Sequence, residues 1–197
     1  KTAYEIPKRD WSSDVCSSDL SVLGFISTFC VVPIRTLLPV FAKDVFHLTE
    51  TGFSYMVATS GAGAVVGAII YAGLPHDRRQ VSLTLKVQAA LAVLLGVFAM
   101  SQWLVLSYIV LFLTGMSIMI LFASISSLVQ LGTTEEMRGR TMSIFMLAFR
   151  GGMPLGGLTI GTLADQFSPQ HALLGAGVVL GLTAAWVQLF GTGIKRL

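Results

Sequence analysis

Six long apolar runs, joined by short polar connections, account for almost everything after residue 20. They fall at approximately 21–42, 52–74, 81–100, 103–131, 139–165 and 171–191. A helix needs about 20 apolar residues to cross about 30 Å of hydrocarbon, and each run is near or above that length. The fourth and fifth are long enough to tilt or to reach past the interface. A soluble helical bundle would carry a polar stripe on most of its helices, and the third and sixth runs have almost none. Only 12% of the chain is charged and its mean hydropathy is +0.77, where a soluble domain carries about a quarter charged residues. The reading is an all-α membrane protein of six transmembrane helices.

The connections set an orientation. Arg78, Arg79, Lys86, Arg138, Arg140, Lys195 and Arg196 lie on one side and Lys43 alone on the other. Loops rich in Lys and Arg stay cytoplasmic, so the second–third and fourth–fifth connections and the C-terminus are expected inside. The basic residues sit between apolar runs, which suits topology and not nucleic-acid binding. Pro75, His76 and Asp77 break the second run from the third; Thr133 with Glu136 has capping-box spacing; Ser168-Pro169 offers an N-cap followed by a first-turn proline.

Runs one to three and four to six can be laid over each other as two inverted triplets. The middle member of each is rich in glycine: Gly61, Gly63 and Gly67 in the second run, Gly152, Gly156, Gly157 and Gly161 in the fifth. Glycines four apart let helix backbones approach closely in lipid, and all seven are expected at close helix contacts. Two triplets of opposite topology are a transporter plan.

Arg35 and Arg150 lie inside apolar runs. A charge at the bilayer centre costs at least about 2.5–3.5 kcal/mol, which makes both candidates for a cargo or gating role. Arg150 lies ten residues past Arg140, about 15 Å along a helix and so near the midplane. Arg35, eight residues before Lys43, can also snorkel to the outer interface. Thr114, Ser117, Met116 and Met119 in the fourth run are candidate cavity residues, because hydroxyls and adaptable thioethers suit amphipathic cargo; hydrogen bonding between helices explains the hydroxyls of that run, Ser124, Ser126 and Ser127 included, equally well. At the cytoplasmic ends, Gly73, Asp77 and Arg78, and Glu135, Glu136, Arg138, Gly139 and Arg140, read either as positive-inside anchors or as a salt-bridge latch between helices.

Enzyme motifs such as His-Glu-x-x-His, Gly-x-Ser-x-Gly or a phosphate loop do not occur, so no enzymatic activity and no cofactor is implied. His47, His76 and His171 fall in separate loops, which gives no metal-site spacing. Cys30 sits in an apolar run and Cys16 outside the runs, and no disulfide is expected. With no Asn in the chain there is no glycosylation sequon.

Residues 1–20 are polar and unlike the rest. Residues 1–6 and 10–20 back-translate, in that order and spacing, into parts of one indexed short-read sequencing adapter, with 7–9 covering its variable index. The segment is therefore expected to be non-native, to make few contacts with the bundle, and to leave an N-terminal part of the protein unread.

Three stretches carry a family resemblance: LLPVFAKDVFHLTETGFSYMVATSGAGAVVGA, EEMRGRTMSIFMLAF and GGMPLGGLTIGTLADQF. They resemble helices seven to twelve of the major facilitator superfamily, in particular bacterial exporters of the enterobactin-exporter and macrolide-efflux type, over nearly all of 21–197. Thr134 stands where that loop often has Pro, and GLPHDRRQ is a partial version of the family's Gly-x-x-x-Asp-Arg loop. The resemblance implies the C-terminal six-helix half of a proton-coupled efflux transporter of the bacterial inner membrane. It would work by alternating access with a missing N-terminal half, and its cargo would be a small amphipathic molecule, drug- or siderophore-like. The first helix of each triplet would line the cavity. A transport-inactive sensor or regulatory subunit of the same fold is the alternative.

Overall fold

The computed structural model describes residues 22–31, 33–74, 80–131 and 138–190. Residues 1–20, and Asp77, Arg78, Glu135 and Glu136 of the expected latch, lie outside the described residues, as does the Thr133–Glu136 capping box. Among the described residues six helices follow one another: α1 (Val22–Val45), α2 (Glu50–Ala72), α3 (Gln80–Met100), α4 (Leu104–Leu131), α5 (Arg138–Gln166) and α6 (Pro169–Phe190). All six are long and apolar enough to cross a membrane.

Their outer surface is apolar. Val65, Ile69, Leu147, Leu158, Leu182 and Trp186 are all more than half exposed. In water so large an apolar surface would drive association; in a bilayer it is the surface that lipid solvates. The chain is a multi-pass membrane protein.

Local sequence sets the helix ends. Ser168 caps α6: its hydroxyl oxygen accepts the backbone N–H of His171 at 3.3 Å, and Pro169 fills the first turn, where no N–H is needed. Gly73 closes α2, donating its N–H to the carbonyls of Ile69 and Ile70. α1 has Pro39 in its interior, and beyond it the chain winds as a π-helix over Phe41–Val45. His47 then takes a left-handed φ of 50° to turn the chain toward α2. Phe41 and Phe98, both fully buried with ring centroids 5.1 Å apart, lock that end of α1 onto α3.

The helices pack as two interlocked triplets, α1–α3 and α4–α6. The middle helix of each triplet crosses the first helix of the other. A Cβ at Gly63 would overlap the carbonyl of Phe112, and one at Gly67 would lie 2.5 Å from the carbonyl oxygen of Met116. So α2 rests directly on the backbone of α4, and Gly115 of α4 meets the carbonyl of Ser60 in return. The other crossing repeats this. A Cβ at Gly152 would lie 2.9 Å from the carbonyl oxygen of Phe25, and one at Gly156 would overlap that of Phe29, so α5 rests on α1. The third helices, α3 and α6, pack on each other across the centre, with Gly177 against Ala92.

Close packing does not extend to all seven expected glycines. Gly61 and Gly161 meet nothing within 4 Å among the described residues, and Gly157 meets only the Thr36 hydroxyl at 3.9 Å. The reason is helical phase. Gly61 is two residues, about 200°, from Gly63, and Gly157 and Gly161 are each about 100° past the buried Gly156 and Ile160.

Candidate functional site

A cavity of about 300 Å³ opens between the first helices of the two triplets. α1 contributes Ser27, Thr28, Val31 and Arg35, one stripe at spacings of one, three and four residues. α4 contributes Gly115, Ile118, Met119, Leu121, Phe122 and Ile125; Phe149 and Met153 of α5 close one side, while Ala64 and Leu91 touch it from α2 and α3. The aromatic part of the wall is continuous. The rings of Phe122 and Phe149 lie 4.7 Å apart, and Phe145 stands 5.8 Å behind Phe149.

The polar chemistry of this cavity is sparse and one-sided. Ser27 donates its hydroxyl hydrogen to the carbonyl of Leu23 at 2.7 Å, and Thr28 donates to that of Gly24 at 2.9 Å. Both hydroxyl hydrogens are thereby committed to the carbonyls of α1. Among the described residues Arg35 is the charged member of the lining, and it is exposed; no described acidic side chain lines the wall.

The helix runs on through Arg35 with one hydrogen-bond donor withheld. Pro39 has no N–H for the carbonyl four residues back, which is that of Arg35. The same spacing recurs in α5, where Pro154 withholds its donor from the carbonyl of Arg150. Both intramembrane arginines thus occupy an Arg-x-x-x-Pro turn whose backbone oxygen lacks its usual donor four residues on. Freed carbonyls inside a membrane are tolerated where neighbours or water reach them.

Arg150 does not line the cavity. It is exposed on a face of α5 roughly 140° from the Phe145–Gly152–Gly156 stripe that packs inward. Gly151, beside it, meets nothing within 4 Å among the described residues. Of the four α4 candidates, Met119 lines the cavity. Met116 is half-buried and gives its carbonyl to the contact with Gly67. Thr114 and Ser117 are buried in the helix packing, and the Thr114 hydroxyl has no hydrogen-bond partner among the described residues. At the basic end, Gly73, Gly139 and Arg140 are exposed, and Arg138 begins α5. Gln80 there donates its amide N–H to the Tyr71 hydroxyl at 3.2 Å, joining α2 to α3.

Several lining residues escaped the sequence reading: Ser27, Thr28, Val31, Phe122, Phe149 and Met153. Their signal was present as the stripe that ends on Arg35 and as the two Arg-x-x-x-Pro turns. A single chain pattern does not say which stripe faces a cavity and which faces lipid when both are apolar.

Residues 19–192 match a family described as transmembrane secretion effector. No curated protein and no solved structure matches the chain.

Proposed function

The chain belongs to the transmembrane secretion effector family of major facilitator transporters, and from that premise we propose that it is the six-helix C-terminal half of a secondary active exporter. It works by alternating access with a second six-helix unit, uses the proton gradient, and moves a small amphipathic molecule out of a bacterial cell. Its basic end, with the α2–α3 and α4–α5 connections and the C-terminus, faces the cytoplasm. In kind, the cargo resembles the drugs and siderophores of the enterobactin-exporter and macrolide-efflux types.

The observation that carries this reading is the cavity between α1 and α4, the first helices of two inverted triplets. Binding at a repeat interface lets one triplet rock against the other around a fixed site. The apolar walls suit an amphipathic body, and Met119 adapts its shape to different ones. Arg150, turned away from this cavity, faces the second unit, where it meets cargo or a carboxylate of that unit. The residues at the basic end, Arg138, Gly139 and Arg140 with Gly73, Asp77, Arg78, Glu135 and Glu136, act as the latch of the outward-open state.

The test is initial efflux of labelled amphipathic compounds from vesicles carrying the protein expressed from its complete gene. We expect flux that a protonophore abolishes. Arg150→Gln should lower the rate about tenfold, the loss of one charge-assisted hydrogen bond, at unchanged membrane level. Lysine at that position should not restore it if the guanidinium binds in a bidentate manner. Wild-type flux in Arg150→Gln removes Arg150 from the site, and absence of any gradient-driven flux leaves the sensor reading standing.

A further inference from the structure

The two walls of the cavity are one stripe used twice. Thr28, Val31 and Arg35 on α1 have the same order and spacing as Gly115, Ile118 and Phe122 on α4, and all six line the cavity. The correspondence extends to the helix crossings, where Phe25 and Phe29 of α1 meet glycines of α5 as Phe112 and Met116 of α4 meet glycines of α2. At the last position of the stripe the repeat breaks: α1 carries a guanidinium where α4 carries an aromatic ring. A wall duplicated in spacing therefore has a cationic pole on one side and an aromatic pole on the other.

We propose that this cavity selects amphipathic anions, holding a carboxylate or sulfonate on Arg35 and an apolar, preferably aromatic, body against Phe122, Phe149 and Ile118. The inference rests on the reading of the cavity as the cargo site. Three observations carry it. First, among the described residues no acidic side chain lines the cavity to neutralise Arg35. A cation among apolar walls is costly unless paired, and an anionic ligand supplies the partner, whereas a cationic one would meet like-charge repulsion in a poorly screened space. Second, the hydroxyl hydrogens of Ser27 and Thr28 are committed to helix carbonyls, which leaves the guanidinium as the hydrogen-bond donor that can receive an anion. Third, Phe122 and Phe149, backed by the buried Phe145, offer faces and edges for an aromatic body. A volume of about 300 Å³ is at the small end for ligand pockets, which fits one or two fused rings with a single head group.

The test uses two fluorescent probes that share a ring system and differ by one charged group, anilinonaphthalene sulfonate and phenylnaphthylamine. Saturable binding of each is measured to the full 197-residue chain in zwitterionic nanodiscs. Wild type should bind the sulfonate more tightly than the neutral probe. Arg35→Gln should weaken the sulfonate about tenfold or more, the worth of a charge-assisted hydrogen bond, and leave the neutral probe within about twofold. Arg35→Lys, which keeps the charge, should recover most of the sulfonate binding. Unchanged sulfonate binding in Arg35→Gln overturns the proposal, and so does equal loss of both probes in Arg35→Gln and Arg35→Lys. Met119→Trp, which fills the cavity, should remove both probes. If it removes neither, the cavity is not the binding site, and the functional reading falls together with the charge preference built on it.

Discussion

The two triplets agree in backbone and disagree in side chains. Their middle helices are the least covered: 17% of the α2 span and 22% of the α5 span is buried, while the third helices, α3 and α6, are buried to the same 39%. Each middle helix crosses the other triplet's first helix on a pair of glycines, Gly63 and Gly67 or Gly152 and Gly156. Yet α2 turns an apolar face outward, Val65, Val66, Ile69 and Ile70, whereas α5 exposes Arg150 near its middle. Likewise α1 brings Arg35 to the cavity where α4 brings Phe122. The lesson is that close backbone contact constrains both copies alike, because only glycine admits a carbonyl at that distance. Side chains facing open space carry no such restraint and have diverged.

The sharpest way to break this comparison is topological, because an inverted repeat puts equivalent loops on opposite sides of the membrane. In a cysteine-free background, cysteines at Thr49 and Gln102 should react with an impermeant thiol reagent from outside intact cells, and those at Ser82 and Thr134 should be protected. Thr49 and Thr134 sit in equivalent connections of the two triplets, so labelling of both from the same side would end the inverted relation. Ser82, exposed, is a better reporter than Gln80, which is buried and bonded to Tyr71.

A second comparison is energetic. Gly63→Ala and Gly156→Ala each place a methyl group on a backbone carbonyl, of Phe112 and Phe29 respectively. Overpacking costs about 1–3 kcal/mol, and because backbone cannot move aside as a side chain can, both should reach at least that range. Gly61→Ala and Gly161→Ala enter open space among the described residues and should be neutral or slightly stabilising through helix propensity. Thermal unfolding in detergent reads all four. Markedly unequal losses at Gly63 and Gly156 would show that the two crossings are not equivalent.

The smallest effect is expected where α3 meets α6. Gln88, fully buried, donates its amide N–H to the Thr183 hydroxyl at 3.1 Å. Hydrogen bonds between membrane helices contribute about 0.6 kcal/mol on average, so Thr183→Val should cost about that much. The Gln88→Leu/Thr183→Val double variant should cost no more than the single one, because it removes both partners together. A double-mutant cycle measures the coupling, and a loss several times larger would place Gln88 in a wider polar network.

Sequence alone determined the class of the molecule. Six runs long enough to span hydrocarbon leave a helix bundle in lipid as the solution, and the Lys/Arg asymmetry, the Ser168-Pro169 start of α6 and the Gly-rich middle helices were all legible as local chemistry. Arg35 and Arg150 announced themselves because a charge in an apolar run is costly wherever it points. What only the tertiary structure decided was direction. Among glycines of one helix, phase separates Gly63 on a carbonyl from Gly61 in open space; between the two arginines, it separates Arg35 on the cavity wall from Arg150 on an outer face. In a membrane protein the lipid-facing and protein-facing sides of a helix are both apolar, so periodicity of hydrophobicity, which marks the buried face in water, carries no such signal here. The partner helix chooses the face, and that choice is made by packing.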